Sequence, residues 1–420
     1  MSPRCKHFFA DLPRWLAYAP LIAGIILLTI AMYRNRGNFA KVSMAEFYDW
    51  SWELRAGGNP WLENHDPAFK TIPGVPHRGH CNYPPAFLIA FEPLTLINVR
   101  TAYWIWQAIL IASMIAAVAM IVYELGPPPG AAPYALALGA TLLYPETYGS
   151  LYESQLTFLL LAMLAAAFVL DRRRWSAAAG LMLAVATLFK LFPGLAAGYF
   201  LVHRRWTTLA WAAAFGLSGL LLTSRGNQHA FLNFGILHSQ WLEDDGWLRN
   251  DRSLSIYSNL RALLDWLSGG PLTGRLVQLW MGLTAIGDAI VIAITLFVTA
   301  RAARSPQADV ASLGLWLCAA IIVSPISWGH YLPLIMPLLL GSIACVIRRE
   351  KLPYAAILLV GLGLSGIYLA YFAGALREHH AFFLATLMIF AGCVRTLDPG
   401  GTSRTDSGSH ERSCKQPSAR

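Results

Sequence analysis

Residues 15–33 contain no charged side chain, and comparable apolar runs recur along nearly the whole chain. An α-helix needs about 20 such residues to cross a hydrocarbon layer roughly 30 Å thick. Water is absent from that layer, so each run must close its own backbone hydrogen bonds as a helix. The further runs lie at 103–123, 132–144, 154–170, 176–202, 206–223, 277–300, 310–326, 331–347, 354–375 and 381–395. The run 176–202 is too long for one ordinary span and is interrupted by Lys190 and Pro193-Gly194. It reads as two short helices meeting at a break. The pattern predicts an all-α, polytopic transmembrane bundle of about 11–12 membrane segments. One transmembrane domain covers 1–395, and a Ser-, Gly- and charge-rich disordered cytoplasmic tail covers 396–420. Arg34, Asn35 and Arg36 follow the first run where a small-residue cleavage site would stand, so that run reads as a retained span.

Charge placement gives the topology. Only 13% of residues are charged, about half the share of a soluble domain. The net charge of +9 sits at the ends of apolar runs, which is a topology signal and argues against a nucleic-acid partner. With the N-terminus in the cytoplasm, the inner junctions become 171–174, 203–205, 301–304 and 348–351, all short and basic. The outer side receives two long loops, 34–100 and 224–276, together with 144–154, the Lys190 break, 327–330 and 377–380. Long loops in a compact chain are usually functional. Interfacial helices are expected at Phe47–Leu54 and Leu260–Leu267. The chain is therefore expected in a membrane such as the bacterial inner membrane, in contact with membrane lipids, with both termini cytoplasmic. Six scattered cysteines without paired spacing predict no disulfide framework, and no CxxC or HExxH pattern points to a metal.

Several outer segments carry chemistry-bearing side chains. Glu46, Asp49 and Glu53 share one face of a helix; such a stripe supplies either a general base or a solvated face of an interfacial helix. Pro76-His77-Arg78-Gly79-His80 reads as a phosphate grip through Arg78 and His80 or as a plain polar loop. Lys190, between Phe189 and Phe192, lies at a depth where a cation is costly, so it either holds an anion or snorkels to the interface. The Ser324–Tyr331 segment places Trp328 and His330 at the outer mouth, fit to bind a sugar or phosphate or to make an aromatic turn. Asp288 marks either a proton pathway or a helix-packing contact.

The order of these segments resembles glycosyltransferase family 87. The matching residues are Gly57-Gly58-Asn59-Pro60-Trp61, Tyr83-Pro84-Pro85, Ser154-Gln155-Leu156-Thr157, the Lys190/Pro193 break, Asp251-Arg252-Ser253-Leu254, and Ser324-Pro325 with Ser327-Trp328-Gly329-His330-Tyr331. The resemblance covers about 15–395, and it rests on the order of the motifs, since no one of them is decisive. It implies a C-type membrane transferase using a polyprenyl-phosphate sugar donor, typically mannose, with no separate cofactor. The acceptor would be a lipid or glycan hydroxyl on the non-cytoplasmic face, attacked with inversion. The donor-side residues implied are Lys190, His330, Arg78, His80, Tyr83, Gln155, Ser253 and Trp328. The family's early acid–Phe pair falls on Ser43 by ungapped count from Gly57; Glu46-Phe47 restores it with three residues deleted, and Asp49 lies one turn further. The base is thus Glu46 or Asp49. The rival reading is a secondary transporter or lipid-linked-sugar flippase, in which the 176–202 break and Asp288 would form a midplane site.

Overall fold

A computed structural model of the chain describes residues 14–35, 43–61, 81–127, 130–232, 253–302, 305–325, 327–349 and 381–397. These residues are helical, with one isolated antiparallel bridge between Ser253 and Trp328. Every apolar run carries a helix except 354–375, which lies outside the described residues. In chain order the helices are α1 (Arg14–Asn35), α2 (Ser43–Arg55), α3 (Pro85–Phe91), α4 (Val99–Leu125), α5 (Ala132–Leu143) and α6 (Pro145–Tyr152). They continue with α7 (Thr157–Arg172), α8 (Ser176–Phe189), α9 (Ala197–Val202), α10 (Trp206–Leu222), α11 (Arg225–Ala230) and α12 (Ile256–Ser268). The last are α13 (Arg275–Arg301), α14 (Pro306–Val323), α15 (Met336–Arg349) and α16 (Ala381–Leu397). Three of them, α4, α13 and α14, are individually long and apolar enough to cross a bilayer, which makes the chain an all-α polytopic membrane protein.

Local chemistry sets the boundaries. Helix α4 starts where the Asn98 side chain accepts the Thr101 N–H at 2.9 Å and stops at Gly126, which takes a left-handed φ of +62°. Helix α8 ends at Lys190, whose backbone turns extended; a 3-10 turn, Phe192–Ala196, and α9 follow. This is the break expected within 176–202. The segment 144–154, expected as a short outer piece, is itself helical: α6 meets α7 at a bend of 112°. Pro145 opens α6, and Ser154 at the corner takes φ +55°, so the chain turns back on itself between two apolar helices.

The interior is apolar, as in a soluble protein, but so is much of the surface. Ile22, Ile25, Ile26 and Ile30 on α1, Leu217, Leu220 and Leu221 on α10, and Ile286, Ile290 and Phe297 on α13 are exposed. Such continuous apolar faces are lipid-facing surface. Between helices, small residues allow close approach: a Cβ on Gly341 of α15 would stand 2.6 Å from the Ala311 N of α14.

Polar groups collect at two opposite ends. At one end Arg172 pairs with Glu124 (2.8 Å) and Asp309 (2.6 Å), Arg205 pairs with Asp171 (3.2 Å), and Gln307 donates to the Leu125 carbonyl (2.7 Å). These are the junctions that the charge pattern places on one side. The other end gathers the segments 43–61, 81–91, 145–157, 190–196, 253–261 and 327–331.

Candidate active site

Helix α2 is the platform of this end. Its inner face buries Phe47 among Tyr83, Phe87, Phe91 and Trp106, with ring centroids 4.8–6.3 Å away. The Tyr48 hydroxyl donates to the Ile97 carbonyl at 2.6 Å. The helix closes in a Schellman turn: Gly58 N–H donates to Glu53 O (2.9 Å) and Gly57 N–H to Leu54 O (3.1 Å). Gly57 sits at φ +88°, and a Cβ on Gly58 would stand 2.6 Å from Glu53 Cγ. Both glycines of the Gly-Gly-Asn-Pro-Trp motif therefore have a steric reason. The rest of the motif holds the next one: Cys81 N–H donates to Pro60 O (3.0 Å) and Trp61 Nε1 to Tyr83 O (3.0 Å).

Tyr83 is the hub. Its hydroxyl donates to Gln155 Oε1 at 2.8 Å, and Gln155 Nε2 donates to Ser43 Oγ at 2.7 Å. The Tyr83 hydroxyl also lies beside Tyr331, and burial together with Tyr331 and Glu46 pushes it well above the usual phenol range. It stays a protonated donor. Burial likewise raises the Cys81 thiol, with Lys190 pulling it down and Glu46 and Glu53 pushing it up. Two acids of the α2 stripe and the broken-helix lysine thus act on one point.

Lys190 is only 8% exposed. Its ammonium lies 4.0 Å over the Tyr83 ring and 5.2 Å from the Tyr331 ring. Among the described residues no carboxylate pairs with it. A nearly buried ammonium held by ring faces alone is under-compensated, since cation–π contacts return only about 0.5–2 kcal/mol.

The third wall is the turn 327–331. Leu254 N–H donates to Ser327 O (2.7 Å), and Ser253 and Ser255 hydroxyls reach the Ser327 and Pro325 carbonyls (both 3.3 Å). The second long loop is thereby stitched to the turn before α12 begins. Thr157 Oγ1 donates to His330 O at 2.9 Å. The His330 ring, 8% exposed, lies 4.3 Å from Tyr331 and 5.6 Å from Trp328. Phe192, just past the Lys190 break, packs on Tyr331 at 5.1 Å.

Of the residues singled out in the sequence, Glu46, Tyr83, Gln155, Lys190, Ser253, Trp328 and His330 come to this one end. Asp49 lies on α2 but is 4% exposed, whereas Glu46 is half-buried. Arg78 and His80 lie outside the described residues, as do Asp251 and Arg252. Three participants escaped the sequence reading. Tyr331 stands inside a quoted motif but was read as a neighbour of His330, with no link to Lys190. Ser43 looked like a lost acid, yet its hydroxyl accepts from Gln155. Glu146 lies in the first turn of α6, and a Cβ on Gly329 would stand 3.2 Å from its carboxylate; a single acid in a short segment gives no periodic signal.

The profile of glycosyltransferase family 87 matches residues 82–325, more than half of the chain. The chain is also 26% identical, over 341 residues, to the polyprenol-phosphate-mannose-dependent alpha-(1-2)-phosphatidylinositol mannoside mannosyltransferase of Mycolicibacterium smegmatis. That alignment covers 74% of this chain and 73% of the relative. The chain belongs to glycosyltransferase family 87 and is a membrane glycosyltransferase.

Proposed function

We propose that the chain transfers a hexose, mannose by preference, from a polyprenyl-phosphate sugar to an acceptor hydroxyl on the non-cytoplasmic face of a bacterial inner membrane, with inversion. The single observation that carries this reading is Lys190: a nearly buried cation, unpaired among the described residues, at the break of a helix and resting on Tyr83, which packs against Phe47 of α2. Such a cation calls for an anion, and the mannosyltransferase relative takes its name from a lipid-phosphate donor.

The roles follow from position. Glu46 accepts the proton of the acceptor hydroxyl as the new bond forms between that oxygen and the anomeric carbon. The bond from the anomeric carbon to the phosphate oxygen breaks on the opposite face, and its electron pair leaves with polyprenyl phosphate. Lys190 and His330 neutralise the charge that grows on that phosphate, an effect strongest where water is scarce. Trp328 offers ring surface to the sugar, Tyr83 carries the Lys190 ammonium on its ring, and Arg78 and His80 assist from the first outer loop. Glu46 is preferred over Asp49 because it remains reachable while bearing on Tyr83 and Cys81 beside Lys190. The acceptor is a hydroxyl of a lipid or glycan in the outer leaflet.

The test is consumption of polyprenyl-phosphate mannose by membranes carrying Glu46→Gln, Asp49→Asn or both. Loss of turnover in Glu46→Gln at an unchanged amount of folded protein is expected. Full activity in the double variant would remove α2 as the source of the base.

A further inference from the structure

The sequence resemblance implies a donor-binding role for Gln155, but both ends of its carboxamide are engaged within the protein. Nε2 donates to Ser43 Oγ at 2.7 Å and Oε1 accepts from Tyr83 at 2.8 Å. Ser43 opens α2 one turn before Glu46. Tyr83 carries the Lys190 ammonium on its ring at 4.0 Å. One buried side chain therefore ties the helix of the acid stripe to the support of the cation, joining segments far apart in sequence.

The anchor itself is rigid. Gln155 lies in the 112° corner between α6 and α7, and that corner is fastened from α4. Trp106 Nε1 donates to Ser154 O (2.8 Å), and Gln107 Nε2 donates to Leu151 O (2.9 Å) and Ser154 Oγ (2.8 Å). Gln155 N–H bonds back to Ser150 O at 3.0 Å, and Ser43 N–H donates to Glu153 O at 3.1 Å. Helix α2 thus receives two bonds from the corner, one through backbone and one through Gln155. A network whose members are all satisfied holds one geometry; a half-satisfied one does not.

We infer that Gln155 is a positioning residue: its carboxamide fixes α2, and with it the base, relative to Lys190. This rests on the reading that α2 supplies the base and Lys190 holds the phosphate. It explains why a serine stands where an ungapped count would put the family's acid. Ser43 serves as the point where the brace grips the helix, and the acid sits one turn on.

The experiment compares Gln155→Met, Ser43→Ala and the double variant, using the full chain in membranes and polyprenyl-phosphate mannose as the probe. Rates are normalised to folded protein, and melting is followed in detergent. Gln155→Met should lower kcat about 10- to 100-fold, the scale of a misplacement near 1 Å, with donor KM within about threefold. It should also lower the melting temperature, because Ser43 and Tyr83 lose a partner. In the double variant Ser43 no longer has a stranded hydroxyl, and Tyr83 retains Tyr331, so the melting temperature should recover while kcat stays low. Recovery of kcat together with melting would show a merely structural role and overturn the inference. So would a rise in KM at constant kcat, which would mean that Gln155 touches donor. If Gln155→Met does not fold, Ser43→Ala alone decides: a fall in kcat at unchanged KM supports the brace, and no fall refutes it. Glu46→Gln and Asp49→Asn, run alongside, report on the base separately, since full activity there would refute the base whatever Gln155 does.

Discussion

Replacing Lys190 with Met separates catalysis from stability because the two should move in opposite directions. Methionine keeps much of the apolar stem and removes the charge. In the proposed reaction a phosphodiester becomes a phosphomonoester, so the leaving group gains up to one negative charge on the way to products. A unit charge about 4 Å from another at an effective dielectric of about 20 is worth about 4 kcal/mol. Only the part that develops between ground and transition state counts toward rate. If roughly half to all of it does, the loss is about 2–4 kcal/mol, or about 30- to 1,000-fold in kcat. The fold loses little in exchange. Among the described residues Lys190 has no carboxylate partner; its ammonium rests on the Tyr83 and Tyr331 rings. Losing those contacts costs about 0.5–2 kcal/mol, while the penalty of burying an ammonium disappears. Melting temperature should therefore hold or rise. The assay is initial-rate donor consumption at saturating donor, with melting of the same preparation. A variant that melts earlier and loses activity only in proportion to folded protein would refute the reasoning, as would one with wild-type kcat.

Three other perturbations test other parts of the structure. Gly57→Ala, at φ +88°, should cost about 1–2 kcal/mol, read as earlier melting. Arg172→Ala removes the partner of Glu124 and Asp309 at the far end; it should cost about 1–3 kcal/mol, discounted for an arginine 28% exposed, and leave kcat per folded molecule unchanged. Tyr83 has its hydroxyl raised in the folded state, so its contribution is complete below about pH 10, where an unfolded tyrosine ionises, and is lost as pH rises further. Tyr83→Phe should accordingly flatten the alkaline decline in melting temperature above about pH 10.

The helical membrane architecture was legible because burial in lipid leaves helices as the natural way to satisfy the backbone, and long uncharged runs announce them. The Lys190 break was legible for the same reason: a cation followed by Pro193 cannot sit in an uninterrupted span. The helices expected at 47–54 and 260–267 are present but were drawn short, since Ser43 and Ser255 begin α2 and cap α12 outside the apolar pattern. The α6–α7 corner was not legible, because it depends on Trp106 and Gln107 of a distant helix reaching Ser154. The same holds for Gln155, whose role lies in two partners 112 and 72 residues away. Motif order singled out segments that the fold brings to one end; it could not say which of their side chains hold the others in place.

Helix length accounts for where the site lies. The helix ends on the basic side are tied level by Arg172 to Asp309 and by Gln307 to the Leu125 carbonyl. From that plane α8 rises only 14 residues, about 21 Å, before Lys190, and the helices it packs on, α7 and α10, have 16 and 17 residues, about 24–26 Å. A hydrocarbon layer is roughly 30 Å thick. On the proposed topology α8 falls about 9 Å short of crossing that layer, which leaves Lys190 within the depth of the hydrocarbon. A soluble nucleotide sugar would have to leave water to reach that depth. A phosphate carried on a polyprenyl chain already sits at the edge of the hydrocarbon, and can bring its charge to Lys190 with the tail still in lipid. Under the proposed function the short span, which in isolation looks like a defect of a membrane helix, suits the site to a lipid-borne donor.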